Sequence, residues 1–392
     1  MSGYWAIGIF LISAVFVAYM LAGYPLLLAA WGRLRPKPVH KHFEAKTVTV
    51  LLTVYNGEKW MGRKLESLLA LDYPRDRLEI LVISDGSTDR TDAIVEEFAV
   101  EGVKLLRVHH GGKAAALNAG MARATGEILF FTDVRQPLER DALRQLVACL
   151  GDPKVGGVSG QILFREGDGR EANVGLYWRY EKWIRDKLTQ AGSQLVATGC
   201  IYAMRRKLTR PLPAGALIDD AYLPLAAVFQ GYRFIFERQA VAYDYPTALD
   251  MEFQRKVRTL AGLYQVVGSY PRLLNPLSPV AFHFFSYKFG RVFLPYALIA
   301  IAESSFWLPG VWAPILITGQ ALFYGLALAD QWIPAGSLKR LSSVCRTFVV
   351  LMAASFCAAS ILFVPSRKLW KETRVQTAGE GSTAPQKAER TV

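Results

Sequence analysis

The chain has 392 residues, of which 52% are hydrophobic and 20% charged, and its formal net charge is +13. That length holds one large soluble domain plus membrane segments, and an apolar excess gathered at the two ends argues against a wholly soluble protein. The basic balance admits a nucleic-acid binder. No nucleic-acid motif accompanies it, however, and many basic residues flank apolar runs, so anionic lipid headgroups are the more economical partner and no nucleic acid is expected.

Residues 4–31 carry no charged side chain, and about 20 apolar residues suffice to cross a bilayer. No basic stretch precedes this run and no A-x-A site follows it, so a retained anchor is expected, not a cleaved signal peptide. Arg33, Arg35, Lys37, Lys41 and Lys46 come next, whereas residues 1–3 have no basic side chain. The positive-inside rule then puts the amino terminus outside and the following domain in the cytosol. After a polar linker at residues 33–46, residues 47–54 (TVTVLLTV) form a continuous β-branched run, as expected of a strand buried on both faces. Residues 58–70 show helical spacing, with Trp60, Leu65, Leu68 and Leu69 on one side. Residues 78–84 read as a strand, 88–98 as a helix begun by a Ser-Thr-Asp cluster, 103–108 as a strand, 113–124 as a helix and 127–132 as a strand. This alternation predicts an α/β domain with a doubly wound sheet.

Further along, residues 155–164 predict a strand and 174–188 an amphipathic helix whose aromatic stripe suits core or membrane-interface packing. A helix at 222–229, short strands at 232–236 and 241–243 and a helix at 253–264 follow. Residues 278–291 (SPVAFHFFSYKFGR) mix aromatics with Lys288 and Arg291 and suit the membrane interface. Apolar runs at 292–308, 311–329 and 344–364 predict spans. Four spans starting outside end outside, yet Arg367, Lys368, Lys371 and Arg374 favour an inside end, so the topology after Leu308 stays open. Residues 379–392 have the composition of a disordered tail. Cys149, Cys200, Cys345 and Cys357 lack metal-ligand spacing and are expected as reduced thiols.

Four short segments carry the chemistry: Tyr55-Asn56-Gly57-Glu58, Ile83-Ser84-Asp85-Gly86-Ser87-Thr88-Asp89, Gly112-Lys113-Ala114-Ala115-Ala116-Leu117-Asn118 and Phe130-Phe131-Thr132-Asp133. Three of them fall at the carboxyl end of a predicted strand, where an open α/β sheet binds nucleotides. Asp85 is placed to accept hydrogen bonds from a nucleoside, although an Asx turn with a helix cap, Asp89 serving as the cap, explains the same residues. Gly111-Gly112-Lys113 is not a phosphate loop of the Walker type, because Arg107 and Ala114 stand where Gly and Ser/Thr are required. No G-x-G-x-x-G follows a predicted strand, which disfavours a dinucleotide oxidoreductase.

The order and spacing of these segments resemble the GT-A domain of family 2 glycosyltransferases, in the membrane-bound, polysaccharide synthase-like branch, over residues 47–262. The resemblance implies a Rossmann-like, doubly wound mixed sheet in the cytosol, flanked by N-terminal and C-terminal transmembrane helices. It divides the chain into an anchor (1–32), a linker (33–46), the GT-A domain (47–265), an interfacial segment (266–291), C-terminal spans (292–366) and a tail (367–392). Thr53, Tyr55 and Asp85 are then expected to hold the donor's nucleoside, Glu58 to belong to the donor site, and Lys113 and Arg258 to lie near the diphosphate. The family carries D-x-D at the fourth strand end, where its acids bridge Mg2+ or Mn2+ to the diphosphate. Here the motif reads Asp133-Val134-Arg135, which leaves Asp133 as the one metal ligand; Arg135 either pairs with phosphate or stabilises the fold through a nearby acid.

Ile218-Asp219-Asp220 resembles the element that supplies the general base. Asp220 is therefore the expected base, with Asp219 and Gly199, in the acceptor loop at 194–206, on the acceptor side. Arg255 and Thr259 replace a Gln and an acceptor-stacking Trp of the processive synthases, which favours addition of one or few sugars. The implied activity is inverting transfer from a UDP-linked donor to a lipid or saccharide acceptor at the plasma membrane. Two alternatives stand beside it: a processive polysaccharide synthase, and a non-catalytic nucleotide-sensing membrane protein.

Overall fold

The computed structural model describes residues 3–165, 176–245 and 249–365. The expected disordered tail and the basic residues at 367–374 lie outside the described residues.

The chain begins with α1 (Gly3–Ala18), which continues through one π-helical turn at Tyr19–Gly23 into α2 (Tyr24–Leu34). The globular part then runs β1 (Val48–Val54), α3 (Glu58–Leu69), β2 (Leu78–Asp85), α4 (Thr91–Glu97), β3 (Val103–Val108), α5 (Lys113–Arg123), β4 (Ile128–Asp133), α6 (Ala142–Leu150) and β5 (Val155–Phe164). It continues with α7 (Leu176–Ala191), β6 (Ile201–Arg205), α8 (Asp219–Phe229), β7 (Arg233–Asp244) and α9 (Leu249–Ser269). Four more helices close the described chain: α10 (Pro279–Tyr287), α11 (Leu294–Ser305), α12 (Trp312–Ala329) and α13 (Ser337–Ala358).

The strands form one seven-stranded mixed sheet in the order β3-β2-β1-β4-β6-β5-β7. β6 alone is antiparallel to its neighbours β4 and β5. In β1 the period of two sends Val50 and Leu52 to one face and Leu51 to the other, and each is fully buried because helices cover both sides. α3, α4 and α6 pack on the first face; α5, α8 and α9 pack on the second, where Phe284, Val292 and Ala358 from the carboxyl-terminal part join the same core.

Two strand predictions change. The five residues of β6 lie within the expected acceptor loop, and they pair on both sides in spite of their brevity. The two short strands expected near 232–243 are one strand, β7, whose pairing with β5 is interrupted by a bulge between Ser159 and Gln161. That bulge is the physical origin of the gap between the two predicted strands.

Among the described residues, three helices are long and apolar enough to cross a membrane: Tyr4–Leu34, Trp312–Trp332 and Ser337–Leu362. A fourth span results if Pro279–Tyr287 and Phe289–Ser305, bent by 42°, are taken together. The second half of this pair runs antiparallel along α1, with Gly290 against Met20 and Trp307 beside Trp5 at a ring separation of 6.2 Å. Large apolar side chains such as Ile12 and Leu322 are exposed on these helices, as expected where lipid is the solvent.

A polar joint ties α7 to α10 and the turn that follows it. The buried Glu181 of α7 accepts hydrogen bonds from Tyr287 (2.8 Å) and Arg291 (2.6 Å) and pairs with Lys288 at 3.4 Å. Burial opposes its charge, but Lys288 and Arg291 overcome this and hold its carboxyl well below the usual range.

Candidate active site

The parallel strands β1, β2 and β4 deliver Thr53, Asp85 and Asp133 to one edge of the sheet, and Thr53 lies opposite Asp133 in the β1–β4 register. The β2 end is built first. Asp85 is buried and its carboxylate accepts from the backbone amides of Gly111 (2.8 Å) and Gly112 (2.9 Å). Gly112 sits at φ +83°, a turn that only glycine takes without strain, and it starts α5 with Lys113 as its first residue. The same turn carries His110, whose Nδ1 lies 2.9 Å from the Asp85 carbonyl oxygen and whose ring packs on Tyr55 with centroids 4.3 Å apart. Tyr55 is 41% exposed, so the pair leaves an aromatic surface open beside the β1 and β2 ends.

Lys113 bridges the two acidic parts of the site. Its ammonium lies 2.9 Å from Asp133 Oδ1 and 3.1 Å from Asp219 Oδ1. Burial works against the charge, but the neighbouring carboxylates Asp133 and Asp219 outweigh it and raise the lysine above its ordinary range.

Asp219 and Asp220 open α8, where the helix dipole favours negative charge. Asp219 also accepts from the hydroxyl of Tyr202 (3.1 Å), a β6 residue stacked on Phe131 of β4. Asp220 is placed against Gly199: a Cβ there would come within 3.2 Å of its Oδ2, so glycine makes room for the carboxylate. Burial and the adjacent Asp219 raise the Asp220 carboxyl to about 7, with Lys113 and Arg258 pulling the other way. Arg258 of α9 is itself shifted down by burial, against the opposing effect of Asp220 and Asp133. Asp219, Asp220, Asp133, Lys113 and Arg258 thus form one electrostatically linked group, with Gly199 packed against it.

Of the other expected site residues, Arg135 and Glu58 are engaged elsewhere. Arg135 donates to the buried Asp244 at the end of β7 (2.6 Å), and Gln136 donates to the same oxygen (2.9 Å). This contact is the one the fold-stabilising reading of Arg135 calls for. Glu58 accepts from the backbone amide of Arg90 (2.9 Å), while its own amide donates to Asp89 (3.1 Å), so it fastens the start of α3 to the turn before α4. Asp89, one residue before the N-cap Arg90, accepts from the Thr91 amide (3.0 Å).

The sequence reading missed His110 and Lys64. Lys64 is 1% exposed, and its ammonium donates to the Thr132 hydroxyl (2.7 Å) and the Gln136 carbonyl (2.6 Å), clamping the turn on either side of Asp133. Burial lowers it to about 7, with Cys200 and Asp133 opposing. A signal was present: the buried face of α3 is Met61, Lys64, Leu65 and Leu68, so the lysine interrupts an apolar stripe.

The chemistry of the donor set fits a divalent ion only in part. Among the described residues no group of three or more His, Cys, Asp or Glu side chains forms a metal site. Asp133, 37% exposed at the crevice, provides one hard oxygen ligand, and ions such as Mg2+ are commonly held by one or two carboxylates together with substrate phosphates.

A seven-stranded mixed α/β sheet with acids and a lysine gathered at its parallel strand ends defines a domain of the GT-A type. Residues 49–212 match Glycosyl transferase family 2, and the chain carries a domain of that family. It is 29% identical to the probable glycosyltransferase YdaM of Bacillus subtilis over 240 residues, 57% of each chain. It is 28% identical to a beta-monoglucosyldiacylglycerol synthase of Synechocystis over 150 residues, 35% of this chain and 31% of that one. The matches therefore span about half the length of the first of these relatives and a third of the second. Among solved structures, the mannosyltransferase PcManGT from Pyrobaculum calidifontis, in complex with GDP-Man and Mn2+, superposes with a TM-score of 0.70 at 25% identity. That superposition covers 91% of this chain and 99% of the other.

Proposed function

We propose that this chain is a membrane-bound, inverting glycosyltransferase that moves a sugar from a nucleotide-sugar donor to a membrane-associated acceptor. The observation that carries this reading is Asp220, a carboxyl raised to about 7 at the N-terminus of α8 and faced by Gly199, Lys113 and Arg258. A general base works best with a pKa near the operating pH. Asp219 is engaged by Lys113 and Tyr202, which leaves proton abstraction to Asp220.

In this mechanism the acceptor hydroxyl gives its proton to Asp220 as its oxygen attacks the anomeric carbon of the donor. The bond to the nucleoside diphosphate breaks on the opposite face, so an α-linked donor yields a β-linkage. Lys113 and Arg258 offset the charge that develops on the departing diphosphate. Asp133 would hold a divalent ion, which would supply Lewis-acid stabilisation of the leaving diphosphate. Tyr55, with His110, Asp85 and Thr53, holds the nucleoside. The uridine expectation rests on the family resemblance; the structure that superposes over most of the chain holds GDP-Man, so purine donors belong in any test.

The catalytic domain occupies residues 47–265 on the cytosolic face of the plasma membrane, where nucleotide sugars are made. Its fusion to the membrane helices through the shared core at Phe284, Val292 and Ala358 supports a membrane-borne acceptor. Thr259 in place of a stacking Trp, with its hydroxyl turned back to the Arg255 carbonyl (2.9 Å), favours one or few additions per encounter over processive synthesis. Size-resolved products from a single-donor assay test this, and long polymer formed while acceptor remains unused would overturn it.

A further inference from the structure

We propose that Lys113 is a resident cation on Asp133 that excludes a divalent ion until a nucleoside diphosphate draws the ammonium away, so that metal and nucleotide enter together. The proposal deepens the donor-site reading above and rests on it. Three observations carry it. The first is the bridge itself: the Lys113 ammonium lies 2.9 Å from Asp133 Oδ1 and 3.1 Å from Asp219 Oδ1. A divalent ion bound to the same Asp133 oxygen would sit about 2 Å from it. Two cations on one carboxylate oxygen would then lie only a few ångströms apart, so on a nucleotide-free chain they compete for it.

The second observation concerns what else could hold the ion. Where the usual pair has its second acid this chain has Arg135, and its guanidinium is turned to Asp244. The carboxylate that shares the ammonium with Asp133 is Asp219, which the Tyr202 hydroxyl also engages. An incoming metal therefore meets carboxylates already matched by a cation.

The third is how Lys113 is mounted. Its backbone is fixed, because the Gly111 and Gly112 amides before it are anchored on the Asp85 carboxylate. Its charge, by contrast, is on a flexible four-carbon stem. The ammonium can therefore swing while the helix start stays in place. A diphosphate supplies negative oxygens to both cations at once: Lys113 gains a new anionic partner, and Asp133 is released to the metal. Coupling of this kind is reciprocal, so metal must tighten nucleotide binding by the same factor by which nucleotide tightens metal binding.

The test measures Mn2+ binding directly on the full chain in detergent, through the loss of the free-ion electron paramagnetic resonance signal, with and without GDP or UDP. Wild type and Lys113→Arg are expected to bind Mn2+ weakly without nucleotide. Lys113→Gln and Lys113→Met are expected to bind it about tenfold more tightly, or better, and the double variant Lys113→Gln/Asp133→Asn is expected to lose that gain. Thermal unfolding of each variant reports whether it is folded, and two neutral variants keep the comparison available if one of them is not. Equal Mn2+ affinity in wild type and both neutral variants, measured without nucleotide, overturns the proposal. Failure of every form to bind either nucleotide, with Mn2+ present, would instead count against the donor-site reading, and the nucleotide-free comparison is independent of it.

Discussion

Replacing Asp220 with Asn keeps the side chain's size and removes its titrating proton, so one variant probes both catalysis and stability. The carboxyl rises from an ordinary value of 3.8 to about 7, because it is buried beside Asp219. A shift of about three units corresponds to ~4 kcal/mol at 1.36 kcal/mol per unit, or ~2 kcal/mol once partial exposure to water is allowed for. The sign is unfavourable to the native state. Below about pH 4 the carboxyl is protonated in both states and costs nothing. Between about 4 and 7 the unfolded chain ionises first, and above 7 the full cost is present. Asp220→Asn should therefore be more stable than wild type at pH 8, by ~2–4 kcal/mol, and the gap should narrow as the pH falls towards 4. Transfer should meanwhile fall by about 10²–10⁴-fold, the usual contribution of a general base, and wild-type turnover should rise with pH through about 7. Nucleotide affinity should be retained. Thermal unfolding at several pH values, paired with nucleoside diphosphate release, makes the comparison. Near-wild-type turnover of Asp220→Asn, or a stability difference that does not change between pH 5 and 8, would refute the reasoning.

Gly199→Ala brings a Cβ to 3.2 Å from Asp220 Oδ2; a displaced base should lower turnover about tenfold with nucleotide binding unchanged, as read by kcat against donor Kd. Lys64→Ala removes the clamp on Thr132 and Gln136 and leaves a buried carbonyl without its donor, so denaturant unfolding should show a loss of about 2–4 kcal/mol. Because burial lowers Lys64 to about 7, the unfolded chain binds the extra proton between about pH 7 and 10.4. Over that window wild type should gain stability relative to Lys64→Met as the pH rises. Arg135→Ala strands the buried Asp244 and should cost about 3 kcal/mol, most of it recovered by adding Asp244→Asn; no loss in the single variant would contradict a fold-stabilising pair.

The parallel half of the sheet was legible in the sequence because β1, β2 and β4 are rich in apolar and β-branched residues, and β2 and β4 end in an acid. Both faces are covered by helices, so no alternation was needed to find them. β6 was not legible: five residues after Thr198-Gly199-Cys200 are too short to show a period, and only pairing with β4 and β5 makes them a strand. The acids of the site could be placed by spacing, but what each one touches could not. Lys113 meets Asp219 across a gap of more than a hundred residues, and Arg135 meets Asp244 at the far edge of the sheet. Glu58 lies close in sequence to Tyr55, yet the direction of the helix start turns it to Arg90 instead of the crevice. Lys64 could have been found, since a lysine within an apolar helical stripe must find buried acceptors.

Transfer from a nucleotide sugar is tested most directly by incubating the purified full chain in lipid vesicles with a panel of radiolabelled UDP- and GDP-sugars, then separating lipid-soluble from polymeric products. The account predicts that one donor labels a lipid or saccharide acceptor in a wild-type sample, and that Asp220→Asn leaves the acceptor unlabelled while still binding the donor. Consumption of no donor under any condition, or equal labelling by wild type and Asp220→Asn, would contradict it.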